Sequence, residues 1–230
     1  MIKIAAVYTV VTPTLSQCVE GELQRSLAGI QYKLLTYSDP TALDCMIQGG
    51  GSEKKAFRRM IDMYWNAVGA DVDIILNVCS SVGDIADAAW PLLNLIGVPL
   101  IRIDEDMARE AVEHYKHIGV LATLPSTLAP TRLLLERCSK EAEKSVNIVA
   151  ELCDGGFGKS GSALATELIA SAKKLPSDIE LIILAQASMA GCSLQIEEAT
   201  GIKTLSSPAF GARSVERIAS EIIKERELRQ

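Results

Sequence analysis

No run of apolar residues in this 230-residue chain approaches the ~20 that a bilayer-crossing helix needs. Basic residues do not dominate either: 23 Lys and Arg face 29 Asp and Glu, the formal net charge is −6, and no basic stripe is present. That balance argues against a nucleic-acid partner and against an electrostatic membrane anchor. Histidine is nearly missing. His114 and His117 stand three apart in AVEHYKHIGV. They read as the solvated end of a helix, where cations are favoured, and not as a zinc site, which wants three or four converging ligands. No metal is expected. The six cysteines, Cys18, Cys45, Cys79, Cys138, Cys153 and Cys192, form no CxxC pair and no short-spaced framework. Met1 to Val11 lacks a basic leader and a clean cleavage site, so it reads as a first strand and not as a signal peptide. Reduced thiols in a cytoplasmic protein are the expectation.

What is present is ordinary globular composition, 48% hydrophobic and 23% charged. A chain of this length buries a sizeable core without staples. Short apolar runs (Ile2–Tyr8, Gln31–Thr36, Ile74–Val78, Leu100–Ile103, Ile118–Ala122, Val146–Leu152, Leu181–Ala185, Lys203–Leu205) alternate with helical patterns. The helical patterns include Lys54–Val68, Val82–Leu95, Thr131–Ser145, Ala163–Lys174 and Ala212–Leu228. This alternation, with nearly continuous apolar strands, predicts an α/β fold with mostly parallel sheets flanked by helices.

An internal repeat divides the chain. Ile75-Leu76-Asn77-Val78-Cys79-Ser80-Ser81-Val82-Gly83 shares I-L-x-x-x-S-x-x-G with Ile183-Leu184-Ala185-Gln186-Ala187-Ser188-Met189-Ala190-Gly191. Ile4-Ala5-Ala6-Val7-Tyr8-Thr9 echoes Ile118-Gly119-Val120-Leu121-Ala122-Thr123, and Gly97-Val98 more weakly echoes Gly201-Ile202. Three echoes in one order predict two pseudosymmetric lobes: 1–98 with 207–230, and 99–206. Each presents a buried strand that ends in small hydroxyl residues and then enters a helix. Ligands of open α/β sheets bind beyond the carboxyl ends of the strands, and helix N-termini favour anions. The expected site is a cleft between the lobes that holds a small carboxylate.

Cys79 falls at such a strand end, just before a helix. The positive helix N-terminus is expected to lower its thiol pKa, fitting it for acid/base work. Ser80 and Ser81 supply donors to a carboxylate or to the enediolate formed when its α-proton leaves. The competing reading is a buried cysteine acting as a small hydrophobe. Thr9, Thr123, Ser126 and Thr127 are further candidate donors to a substrate carboxylate, and equally ordinary turn and cap hydroxyls. Arg102, Asp104 and Glu105 suggest an interlobe ion pair or a second carboxylate site. Gly155 to Ser160 ends in GKS like a phosphate loop, but the glycine that the loop requires five residues before Gly158 is replaced by Cys153. A mobile loop near the cleft is the ordinary reading. Gly49-Gly50-Gly51 reads as a lid or connector.

NVCSSVGD resembles the first cysteine motif of the aspartate/glutamate/hydantoin racemase superfamily. IGVLATLPSTLAPTR is similar to its second-lobe entry loop, LAQASMA to the segment that usually bears its second cysteine, and PLIRIDEDMA to an uncharacterised branch. The resemblance covers nearly the whole chain. It implies two pseudosymmetric lobes, no cofactor, and Cys79 moving a proton at the carbon next to a carboxylate of a small amino acid or related acid. The chain departs from the two-thiol pattern. The second position holds Gln186 or Ala187, and Cys192 lies further on. The superfamily also contains one-thiol decarboxylases and isomerases, so a decarboxylase of a substituted malonate-like acid stands as an alternative. A non-catalytic carboxylate-binding protein is the other. Gln186 and Ser188 are then candidate contacts to a substrate polar group. A homodimer is the default assembly.

Overall fold

The computed structural model describes residues 1–229. The chain forms two compact units, Met1–Ile103 with the C-terminal stretch from Pro208, and Asp104–Ser207. The first contains β1 (Ile2–Tyr8), α1 (Pro13–Ser26), β2 (Tyr32–Ser38), α2 (Pro40–Gln48), α3 (Glu53–Gly69), β3 (Ile74–Asn77), α4 (Gly83–Leu95) and β4 (Leu100–Arg102). The second contains α5 (Glu105–His114), β5 (His117–Ala122), α6 (Pro125–Glu141), β6 (Asn147–Leu152), α7 (Gly161–Ala172), β7 (Leu181–Leu184), α8 (Ser193–Thr200) and β8 (Lys203–Ser206). α9 (Ser207–Leu228) follows, and most of it belongs to the first unit.

Each unit has one four-stranded parallel sheet, with strand orders β2-β1-β3-β4 and β6-β5-β7-β8. The orders are the same and so is the sequence of connections. β1 first sends the chain to β2 on one side and then to β3 on the other, so the order reverses between β1 and β3, as it does between β5 and β7. The inner strands β1, β3, β5 and β7 are buried on both faces, as the centre of a helix-covered parallel sheet requires, while the edge strands β2 and β6 are partly exposed. Ala5, Val7 and Ile75 pack with Ala42, Ala56, Met60, Tyr64, Ala86 and Ala89 of α2, α3 and α4, while the alternate residues Ile4, Ala6, Ile74 and Leu76 are equally buried.

Local signals explain the helix starts. The Thr12 hydroxyl accepts from the Leu15 N–H, and Pro13 opens α1. The Asp39 carboxylate accepts from the Thr41 N–H, and Pro40 opens α2. α6 begins at Pro125, earlier than the sequence pattern placed it, because Pro130 sits inside the first turns of the helix and does not end it. β4 pairs with β3 through Ile75, Leu76 and Asn77. Residues 99–103 therefore belong to the first unit and do not open the second, where the repeat had put them. α9 is tied to the first unit at both ends. Gly211 lies so close to Ile103 that a Cβ there would stand 2.6 Å from Ile103 Cγ1, and Arg226 pairs with Asp73. Gly49, Gly50 and Gly51, all at positive φ, form the connector between α2 and α3.

Candidate active site

The order reversal between β1 and β3 leaves a gap at their carboxyl ends, the place where open α/β sheets carry their ligands. Thr9 follows β1 there and Cys79 follows β3. The Thr9 hydroxyl donates to Cys79 Sγ at 3.0 Å. Cys79 is extended (φ −107, ψ 114) and caps a single 3-10 turn, Ser80–Val82, which leads into α4. That turn aims the Ser81 N–H and hydroxyl and the Val82 N–H at the sulfur. Four donors from three residues therefore surround one thiol.

Cys79 is half-buried. Burial pushes its thiol up, against the hydrogen bonds from Thr9, Ser81 and Val82, which pull it down. This corrects the expectation of a lowered pKa. A 3-10 turn of three residues stands between Cys79 and the N-terminus of α4, and desolvation outweighs the donors. That direction favours the thiol form of Cys79 near neutral pH.

Behind the sulfur lies a polar relay. The buried Tyr64 hydroxyl donates to Asn77 Oδ1 at 3.0 Å, and Asn77 Nδ2 donates to the Cys79 carbonyl at 3.0 Å. Beneath the start of α4 the Arg102 guanidinium is 5% exposed and pairs with Asp87 at 2.6 Å. It leaves room only for glycine at position 83: a Cβ would come within 2.3 Å of Arg102 Nη2. Glu105 pairs with Arg109 at 2.7 Å and with Arg137 at 2.5 Å, inside the second unit. The Arg102–Asp87 pair lies within the first unit, and the pairs of Glu105 with Arg109 and Arg137 lie within the second. Asp104 is buried.

The second unit repeats the device with different chemistry. The Val78 N–H donates to the Val7 carbonyl at 2.9 Å, and the Ala185 N–H donates to the Leu121 carbonyl at 2.9 Å. Val78 therefore corresponds to Ala185, and Cys79 to Gln186. This resolves the ambiguity between Gln186 and Ala187. Gln186 is extended (φ −119, ψ 131) and caps a 3-10 segment, Ala187–Cys192. Thr123 stands where Thr9 stands. Its N–H donates to Gln186 Oε1 at 2.7 Å and its hydroxyl at 3.0 Å. A backbone N–H can only donate, so the carbonyl side of the Gln186 amide is held inward and its NH2 group is turned outward, suited to an acceptor.

The remaining candidates divide. Ser80 is 4% exposed and its hydroxyl has no hydrogen-bond partner. Ser126 Oγ, in the first turn of α6, is likewise buried and unpartnered. Thr127 is fully buried, with its N–H on the Leu124 carbonyl at 3.1 Å. Ser188 is exposed on the 3-10 segment. Cys192 is buried in the core of the second unit among Leu164, Leu168 and Ile196, and is removed from the strand end. The glycine loop before α7 folds onto the strand end of β5: a Cβ on Gly156 would stand 2.7 Å from Thr123 Cγ2. His114 ends α5, with Nε2 3.7 Å from Glu110. His117 begins β5, with Nδ1 3.0 Å from Asp178. Among the described residues no group of three or more His, Cys, Asp or Glu is placed to hold a metal ion, and no helix is long and apolar enough to cross a membrane. Sequence reasoning assigned no role to Tyr64, Asn77 or Asp87. Asn77 carried a signal, as a polar residue ending the apolar strand IILN; Tyr64 carried none.

The family model for Asp/Glu/hydantoin racemase matches residues 12–215. No curated protein matches the chain by sequence. Among solved structures, the glutamate racemase isoform RacE1 from Bacillus anthracis superposes with a TM-score of 0.76 at 16% identity, covering 96% of this chain and 82% of that one. The allantoin racemase from Klebsiella pneumoniae gives 0.66 at 18% identity, covering 96% and 88%. The Picrophilus torridus aspartate racemase gives 0.65 at 13% identity, covering 95% and 94%. At these identities the structures show a shared fold.

Proposed function

Because this chain belongs to the Asp/Glu/hydantoin racemase family, we propose that it is a racemase-type isomerase in which Cys79 moves a proton at the carbon α to the carboxylate of a small amino acid or related acid. The observation that carries this reading is the thiol itself. It stands at the β1/β3 order reversal, partly open, with Thr9, Ser81 and Val82 donating toward it. Those donors stabilise a thiolate more than a thiol, so they favour the charge that appears when the proton is in transit. Ser80, with a buried unpartnered hydroxyl, and Ser81 are the proposed donors to the substrate carboxylate in the first unit. Thr123, Ser126, Thr127, Gln186 and Ser188 are the proposed binding positions of the second. The chemistry is thiol acid/base work without a cofactor, on a small carboxylate, in a cytoplasmic and by default homodimeric protein.

Two observations favour a second reading, decarboxylation of a malonate-like acid. The thiol is pushed up, so it rests protonated. The equivalent position of the second unit holds Gln186, whose amide gives up no proton near neutral pH. In that reaction the carbon–carboxylate bond breaks, CO2 leaves, and the electron pair remains on the α-carbon as an enediolate. The Cys79 thiol then protonates that carbon on one face and ends as a thiolate, which regains its proton from water.

Incubation in D2O with amino acids, 2-hydroxy acids, hydantoins and substituted malonates separates the readings. Proton NMR follows deuterium entering the α-carbon, and chiral chromatography follows configuration. Exchange without loss of CO2, abolished in Cys79→Ala, is the isomerase result. CO2 release with one-sided deuteration is the decarboxylase result. Saturable binding with neither reaction in any compound would establish a carboxylate binder and overturn both.

A further inference from the structure

The two strand-end turns differ in a way that the pairing of their hydrogen bonds exposes. In the second unit the Gln186 carbonyl accepts the Met189 N–H at 3.0 Å, the ordinary closure of a 3-10 turn. In the first unit the matching bond, from the Val82 N–H to the Cys79 carbonyl, is stretched to 3.3 Å. The Cys79 carbonyl has a second donor, Asn77 Nδ2 at 3.0 Å, and Asn77 is itself held by the Tyr64 hydroxyl at 3.0 Å. Leu184, fully buried, stands where Asn77 stands, since Asn77 pairs with Val7 on β1 and Leu184 pairs with Leu121 on β5. The relay is therefore present behind the thiol and has no counterpart at the equivalent position behind the glutamine.

We propose that Tyr64 and Asn77 are positioning residues for Cys79. By occupying the Cys79 carbonyl from inside the sheet, Asn77 fixes that peptide plane and relaxes the turn, which leaves the Val82 N–H able to face the sulfur. Tyr64 orients the Asn77 amide by filling its carbonyl oxygen, so that the NH2 side must point at Cys79. Both side chains are 1% exposed, and buried polar groups in such a relay are costly unless each finds its partner. A buried amide and phenol at this strand end need partners, and the Cys79 carbonyl is the acceptor on which their relay ends. After burial, Tyr64 feels Cys79 first among its ionisable neighbours and then Arg102, Asp87 and Asp84; the hydrogen bonds on the sulfur come from Thr9, Ser81 and Val82. The hydrogen-bond path from the relay to the thiol residue ends on the Cys79 carbonyl, so its positioning effect is carried by the backbone. This inference rests on Cys79 being the proton-transfer group, and it is tested without any substrate.

The test is the rate of iodoacetamide alkylation at Cys79 in the intact protein. It is read by peptide mass spectrometry from pH 6 to pH 11, with half-exposed Cys18 as the internal reference. Tyr64→Phe, Asn77→Leu and the double variant are compared with the wild type, each checked for a cooperative unfolding transition. Losing one aimed donor is expected to slow Cys79 about three- to tenfold near neutral pH and to move its alkylation midpoint upward. Cys18 stays unchanged. The double variant behaves like Asn77→Leu alone, because the two residues act as one relay. An unmoved Cys79 profile in folded Tyr64→Phe and Asn77→Leu overturns the proposal, and so does an additive shift in the double variant. A catalytically dispensable Cys79 would overturn the functional reading and leave this alkylation result standing, so the two failures are distinguishable.

Discussion

Two turns built on one plan carry different side chains. Each follows the third strand of a four-stranded sheet, each is capped by an extended residue, and each of those residues is met by a threonine from the neighbouring strand. In the first unit the capped residue is a thiol, backed by Asn77 and Tyr64 and underlain by the Arg102–Asp87 pair. In the second it is Gln186, locked by Thr123, with Leu184 and Ser206 at the positions of Asn77 and Arg102. The backbone device is common and the polar support is local to the thiol. Support of that kind fits the proton-transfer role proposed for Cys79. An amide that only donates a hydrogen bond needs its orientation fixed and little more.

The strongest way to break this contrast is to remove the thiol. Cys79→Ala should lower α-proton exchange by about 10²–10⁴-fold, the usual worth of a positioned acid/base group, as measured by NMR in D2O. Retained exchange would assign the proton transfer elsewhere.

Gly83 and Gly191 are partners in the sequence repeat, and the structure separates them. Gly83→Ala drives a Cβ into the buried, ion-paired Arg102 guanidinium, which cannot swing away. A loss of about 1–3 kcal/mol is expected, read as a lower urea midpoint at unchanged slope. Gly191→Ala meets nothing within 4 Å and should stay within ~0.5 kcal/mol of wild type. Equal effects would show that the Arg102 packing does not distinguish the units.

Gln186→Cys makes the two turns alike. It places a thiol at the position equivalent to Cys79 and should raise the yield of the minor enantiomer at least about tenfold, seen by chiral chromatography. No change would confine the proton chemistry to the first unit.

The smallest effect concerns pH. Burial holds the Cys79 thiol above its ordinary value of 9.0, so its alkylation rate should still be climbing above pH 9. Thr9→Val removes a donor that favours the thiolate. The midpoint should move further up, with alkylation near pH 8 slower by about two- to tenfold. The sign for stability follows from the same shift. The folded thiol binds its proton more tightly than the unfolded one, so its contribution is whole below pH 9 and fades as pH rises through the folded value. A Thr9→Val profile that moves down would contradict the donor role of Thr9.

Much of this was legible from local pattern. Eight apolar runs in alternation with helical stretches specify parallel sheets, because a strand buried on both faces must be apolar throughout. The repeat disclosed two like units, since equal turns need equal small residues at equal spacing. Cys79 stood out against Gln186 or Ala187 in otherwise matching segments, and strand pairing selected Gln186. The boundary at residue 99 was misplaced because strand pairing, and not the echo, decides which sheet owns β4.

What the sequence by itself determined is the alternation, the repeat, and a cysteine at a strand end, all properties of neighbours along the chain. What only the tertiary structure decided is the state of that cysteine. Thr9 reaches it across 70 residues, Tyr64 reaches Asn77 across 13, and Thr123 reaches Gln186 across 63. A thiol's pKa and an amide's orientation depend on which groups are within about 3 Å, and that proximity exists only after the strands have paired.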